Sequence, residues 1–478
     1  MLEGLEAVEI PFSKLSDVID FRIESEYFEK RFLFLEKRIS SIETISFTKL
    51  ATFINGRPYS SDSFNPNSGV RVSKIGDVTN KRDFNSWEYV ENEEYQKQKG
   101  QLLLDGDILM TLTGDPPDVG KVNFIYKPNN CTWNQRVAKI KIIDKQTITS
   151  NESLYAILST EYSRTQLERF AKGIRQRNLG NESLERLRIP KFSISFQELL
   201  EKLIKSRFSV LDSSKQAYSD AENLMLKEIG LKNFAPSQEP VNVKFFSESF
   251  GKSGRLDAEY YQLKYEQVVG KVKSKDYDIL NNLVDITKSI EPGSKNYVEN
   301  GLPFMRVADL SKNGLSKPQK FISEYFVKEN QDKINDLKPN KGTILFSKDG
   351  SVGIAYHLRK NYNGITSGAI LHLNVKDEKR ILPEYLTLAL NSKVVQMQAE
   401  RDAGGSIILH WRVREIENVV VPIIDFSKQK EIADLIEQSF SLKKKSEHLL
   451  EVAKKAVEIA IEENEELALN YINQETNE

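Results

Sequence analysis

Arg22-Ile-Glu-Ser-Glu-Tyr-Phe28 is met again, 233 residues later, as Arg255-Leu-Asp-Ala-Glu-Tyr-Tyr261. Outward from this pair the echo continues at nearly constant offset. Upstream, Val8-Glu-Ile-Pro-Phe12 returns as Val241-Asn-Val-Lys-Phe245. Downstream, Ile75-Gly-Asp77 returns as Val307-Ala-Asp309, Gly106-Asp-Ile-Leu109 as Gly342-Thr-Ile-Leu345, Val119-Gly120 as Val352-Gly353, and Ile189-Pro190 as Val421-Pro422. An ordered series of matches at one period marks an internal duplication.

Each half reads alike. Short β-like runs (Lys121–Tyr126 and Val137–Ile143; Gly353–Leu358 and Ala369–Val375) are punctuated by Gly and Pro. A helical stretch follows, Leu154–Phe170 or Pro383–Arg401, then a polar Gly-containing loop, Lys172–Gly180 or Asp402–Ser406. A strand ends at Ile189-Pro190 or Val421-Pro422, and a long helix closes the half. In the second long helix Ile432, Leu435, Ser439, Leu442, Ser446, Leu449, Ala453, Ala456 and Ala460 step by threes and fours, a heptad seam whose small residues suit close helix approach. The first, about Ser195 to Gly230, places Ile204, Phe208, Leu211, Tyr218, Met225 and Ile229 on a similar seam interrupted by Lys215 and Glu222. Matching seams predict that the two helices pack on each other; the alternative is that each lies on its own globular part. The expected fold is α+β: two similar globular lobes, 1–190 and, with a linker, 233–422, separated by two long antiparallel coiled-coil-like helices, 191–232 and 423–478 (the latter with an acidic C-terminal end), in a pseudo-two-fold duplication.

At 478 residues, with 39% hydrophobic and 29% charged residues, the chain is expected to be a soluble protein of two to four domains. Acidic residues at Glu3, Glu6 and Glu9 argue against a signal peptide, and no apolar run approaches a membrane span. One cysteine, Cys131, rules out an internal disulfide framework, so the cytoplasm is the default location. The net charge of −1 becomes +6 once the seven acids of 458–478 are set aside, which permits nucleic-acid binding.

Catalytic motifs fail on inspection. Asp115-Pro-Pro-Asp118 resembles the base-holding tetrapeptide of amino-methyltransferases, but its fourth residue cannot stack on a base. Gly114–Lys121 has the wrong spacing for a phosphate-binding loop, and Val122 stands where a Mg²⁺-binding Ser or Thr is needed. Lys139 occupies the place of a nuclease acid before Lys141, and the four histidines show no metal-ligand spacing. Side chains suited to DNA lie in two loops. Lys172, Arg175, Gln176, Arg177 and Asn178 offer cations for phosphates and guanine and amides for adenine. Arg401, Ser406, His410, Arg412 and Arg414 stand at the corresponding place in the second half. Trp87, Trp133 and Trp411 could meet bases, although a core position is their commoner role.

In this order the motifs resemble the specificity subunit of Type I restriction–modification systems. The resemblance rests on Lys74-Ile-Gly-Asp77 and Arg306-Val-Ala-Asp309, the two Gly-Xaa-Ile-Leu runs, Gly120-Lys121 and Val352-Gly353, Phe170–Leu179, and the Ile-Pro or Val-Pro before each long helix. It implies two target-recognition domains, each reading half of a split double-stranded DNA sequence. The helices would space these domains and dock two methyltransferase subunits, and motor–nuclease subunits would complete the restriction complex. S-adenosylmethionine, ATP and Mg²⁺ would then be bound by partners, with no cofactor or catalytic residue on this chain. A helix of about 35 residues is about 50 Å long, so half-site centres would lie up to about 15 base pairs apart. Alternatives are a free-standing DNA methyltransferase or nuclease with disguised motifs, a specificity-like subunit of another phage-defence system, and a duplicated scaffold that never touches DNA.

Overall fold

The computed structural model describes residues 8–13, 23–65, 68–81, 84–115, 118–173, 176–239, 241–405 and 408–476. The chain folds as two units, one formed by Met1–Leu211 with Lys443–Glu478, the other by Asp212–Leu442.

The β-rich runs are hydrophobic because they are buried on both faces, as in the BBBB patterns of Ile108–Thr111 and Ile344–Ser347. In the first unit they build a four-stranded antiparallel sheet in the order Ala51–Asn55, Val137–Ile142, Ile108–Thr111, Val122–Phe124. The second unit repeats it with Val284–Lys288, Ile370–Val375, Ile344–Ser347 and Ala355–His357. The strand register matches as well: Lys139 lies opposite Ile54, and His372 opposite Thr287, each pair displaced by 233. A second four-stranded sheet in each unit ends in a parallel pair, Val70–Ser73 with Cys131–Trp133 and Leu302–Met305 with Ile365–Thr366. A two-stranded pairing then brings the Pro-ending strand home, Thr44–Ser46 on Arg188–Pro190 and Tyr277–Ile279 on Val420–Pro422.

The repeated letters correspond to repeated hydrogen bonds. The Asp77 carboxylate accepts from the Lys74 N–H at 2.8 Å, and Asp309 accepts from the Arg306 N–H at 2.9 Å. Gly120 (φ +77°) donates to the Thr111 carbonyl and Gly353 (φ +82°) to that of Ser347, closing the same left-handed turn. Two buried glutamine pairs have no obvious signature. Gln166 bonds both backbone groups of Arg188, and Gln398 both of Val420. Gln197 ties the start of the first long helix to Thr147 and Thr149, and Gln429 does the same for the second at Arg380 and Leu382.

Two expectations need correction. Each single helical stretch is two helices, Asn151–Leu158 with Glu161–Phe170 and Pro383–Asn391 with Lys393–Asp402. The first pair breaks because the Thr160 hydroxyl caps the Ser163 N–H. The first long helix, Ile194–Glu228, is not interrupted at its seam. Lys215 is exposed, and Ser214, Ala217 and Ala221 are buried in its stead, so the inward face follows the 3.6-residue period. Gly230 ends it in the left-handed region (φ +75°), with Leu231 N–H reaching the Leu226 carbonyl.

The second long helix spans Phe426–Glu462. In the first unit the early turns of one helix (Leu200, Leu203, Ile204) share a core with the late turns of the other (Val452, Ala453, Ala456). In the second unit Ala221, Met225 and Ile229 share a core with Ile432 and Ile436. The helices therefore run antiparallel. Both alternatives hold at once, since each core also contains its own sheet. Among the described residues no helix is long and apolar enough to cross a membrane.

Candidate functional site

The polar loops are small hairpins of equal construction. In the first unit Lys172 and Asn178 exchange backbone hydrogen bonds at 2.9 and 2.8 Å; in the second, Gly404 and His410 do so at 3.1 and 2.7 Å. Gly173 (φ +123°) and Gly405 (φ +132°) open the turns. A Cβ on either would lie 2.3 Å from the Gln176 carbonyl oxygen or 2.1 Å from that of Ile408, so only glycine fits. Each hairpin is sewn to the main sheet's extension, Leu179 N–H to the Leu112 carbonyl and Trp411 N–H to that of Lys348.

The side chains that these hairpins display differ. Gln176 and Asn178 are exposed, and the Asn178 amide oxygen accepts from the Thr113 hydroxyl at 2.8 Å. At the equivalent place His410, largely exposed, meets the Asp349 carboxylate through Nδ1 at 2.9 Å. A ring nitrogen can donate or accept according to the tautomer, so this side chain can offer either role.

The cations are less available than their letters suggest. Arg177 is mostly buried, its guanidinium held by Glu26 at 2.6 Å and by the Glu168 carbonyl. Lys172 pairs with Glu182 at 2.9 Å while staying half-exposed. Arg401 does not belong to the hairpin: it pairs with Asp402 at 2.7 Å and stacks over Tyr260, as Arg169 stacks over Tyr27 in the other unit. It is therefore the counterpart of a framework residue. Arg412 and Arg414 are exposed at the start of the short helix Val413–Glu417. Arg175 and Ser406 lie outside the described residues. So do two residues of the Asp115–Asp118 tetrapeptide, 116 and 117; its Asp118 pairs with Lys121 at 2.7 Å. Lys139, in the nuclease-like run, pairs with Asp107 at 3.3 Å. All three tryptophans are buried.

Sequence spacing did not reveal two further groupings. His357, Glu384 and Glu437 bring ligand atoms within 4.8 Å of one another in the second unit and offer a donor set for a divalent cation. Arg359 already holds Glu437 at 2.8 Å and supplies positive charge there. Burial, helped by Arg359, pushes His357 down to about 4. The other grouping is a cleft of about 510 Å³ in the first unit, lined by Arg57, Tyr59, Lys74, Asn134, Gln135 and Arg136 among others. Its only signal in the sequence was a polar break, Asn134-Gln-Arg136, between two strands.

The sequence profile of the Type I restriction modification DNA specificity domain matches the chain twice, over residues 40–209 and 273–452. No curated protein matches it. Among solved structures the chain is similar to the S subunit of a Type I restriction-modification system from M. genitalium, with 14% identity over 90% of this chain and 95% of that one and a TM-score of 0.38. It is also similar to a chain solved for the complex assembly and conformational transition of the type I R-M system (13% identity, 91% and 97% covered, TM-score 0.28). A third similarity is to the HsdS subunit from Thermoanaerobacter tengcongensis (13% identity, 88% and 97% covered, TM-score 0.28).

Proposed function

The chain belongs to the Type I restriction modification DNA specificity family, and on that premise we propose that each unit reads one half of a split double-stranded DNA target. The observation that carries this reading is the pair of hairpins, alike in the backbone hydrogen bonds that close them and tie them to the sheet and different in the side chains displayed. A common frame with different side chains suits two half-sites of different sequence.

The chain itself has no catalytic role in this reading. Two methyltransferase subunits dock on it and bring S-adenosylmethionine; motor–nuclease subunits bring ATP and Mg²⁺. The assembly works on DNA in the cytoplasm. Purified alone, the chain should neither methylate nor cleave DNA, and an activity abolished by Asp118→Ala would overturn this part. Sequencing genomic DNA modified by the assembled complex should show a split motif with a fixed gap. Exchanging residues 20–190 for those of a relative should change one half of that motif only. A contiguous motif would refute the two-unit reading.

A further inference from the structure

Resting on that reading, we propose that the cleft around Gln135 and Arg136 is a further base-reading site of the first unit, additional to the hairpin, with Arg57 as its phosphate contact.

The turn that presents these residues is rigid. Gly56 lies so close to the following crossing that a Cβ there would sit 2.2 Å from the Asn134 carbonyl oxygen. Across this contact Arg57 N–H donates to the Trp133 carbonyl at 3.2 Å, and Gln135 N–H to the Arg57 carbonyl at 3.1 Å. The Asn134 side chain accepts from the Arg136 N–H at 3.0 Å. These bonds hold the backbone while the Gln135 and Arg136 side chains are exposed. Among the described residues, neither side chain has a hydrogen-bond or ion-pair partner. An amide and a guanidinium side by side on a fixed turn are the groups that read adenine and guanine edges, and the held backbone removes part of the ordering cost of binding.

The surroundings are built for a polyanion. Among the described residues the lining contains three cations, Arg57, Lys74 and Arg136, and no carboxylate. Lys74 lies over the Phe64 ring at 3.7 Å and pairs with Glu88 at 2.7 Å, which leaves Arg57 and Arg136 as the charges best placed for DNA. In the hairpin, by contrast, Arg177 is spent on Glu26.

Comparison of the two units singles out the same positions. The shared strand register places Ile290 at the position of Arg57, and Ser367, Gly368 and Ala369 at those of Asn134, Gln135 and Arg136. There Glu291, at the position of Pro58, accepts from the Gly368 N–H at 2.6 Å, so the second unit has a carboxylate at this turn and no cation at the positions of Arg57 and Arg136. The register of the flanking strands is kept, while the hydrogen bonds of the turn and its chemistry are exchanged, as suits two readers of different half-sites.

The test uses the full chain in complex with its methyltransferase subunits and a duplex library randomised in both half-sites. Gln135→Ala and Arg136→Ala should each lower preference at one or two positions of a single half-site by about 10- to 100-fold, with the other half-site unchanged. Arg136→Lys should lose preference as Ala does, because the bidentate fork is gone. Arg57→Ala should weaken all sequences alike and reduce the salt slope by about 0.9. A Gln135→Ala/Arg136→Ala complex that melts as wild type and keeps both half-site preferences overturns the assignment. A wild-type complex lacking any split preference overturns the proposed function itself.

Discussion

Replacing Gln398 with alanine should cost the second unit far more than the matching change at Gln166 costs the first. Both glutamines are buried and each makes a two-way amide bridge to one residue of the strand that leads into a long helix. For Gln398 the bridge is Nε2 to the Val420 carbonyl at 2.9 Å and Val420 N–H to Oε1 at 2.8 Å. Val420 is itself buried, so truncation leaves a donor and an acceptor away from water. At about 1–3 kcal/mol per stranded group, the loss is about 2–6 kcal/mol, a large share of the stability of a typical domain. Gln166 bonds Arg188 at 3.1 and 2.9 Å, but these bonds are only partly buried, where those of Gln398 are buried, so water should replace them more readily. The Gln166→Ala cost should be about half as large. Hydrogen exchange read by mass spectrometry reports each unit separately. At 1.4 kcal/mol per tenfold, peptides covering Val420 should exchange at least about 30-fold faster in Gln398→Ala. Equal acceleration in the two single variants, or less than tenfold around Val420, would refute the reasoning that water access sets the difference.

Other outcomes follow from the same structure. Gly173→Ala and Gly405→Ala force a Cβ against a backbone oxygen, and should each distort one hairpin and weaken recognition of one half-site while leaving the melting of the sheet core unchanged; footprinting of each half-site checks this. Burial pushes both His357 and His372 down to about 4, so both are neutral in the folded second unit. Unfolded histidine takes a proton near 6.5. The second unit should therefore hold full stability above pH 6.5 and lose it as pH falls from 6.5 toward 4, by about 3 kcal/mol per histidine. Calorimetry at stepped pH should show this, with the slope reduced in His372→Gln. In the second unit Ser214 and Ser439 each donate a side-chain hydrogen bond to the other's carbonyl, at 2.7 and 2.8 Å. Leucine at Ser214 should overpack this contact and cost about 1–3 kcal/mol in urea denaturation, whereas alanine should cost about 1 kcal/mol.

The sequence alone determined the duplication, the α+β class and the two long helices. These are local or periodic properties: a 3.6-residue stripe, a glycine where φ is positive, an aspartate three residues after the N–H it caps. Each survives in the one-dimensional order, and so Asp77 and Asp309, Gly120 and Gly353, and the seam from Ile432 to Ala460 were legible as letters. What the letters could not show is which side chains are left over after folding. Arg177 and Arg401 look like DNA ligands until Glu26 and Asp402 are found beside them. Lys215 looks like a break in the seam until the 3.6-residue twist turns it outward and brings Ser214 in. The cleft draws on Arg57, Lys74 and Asn134–Arg136, and the histidine–glutamate cluster on a strand and two helices. The first depends on the register between strands some 80 residues apart and the second on how two helices pack on a strand, each set by the sum of many weak core contacts. Only the tertiary structure decides them, because no single residue encodes its partner across that distance.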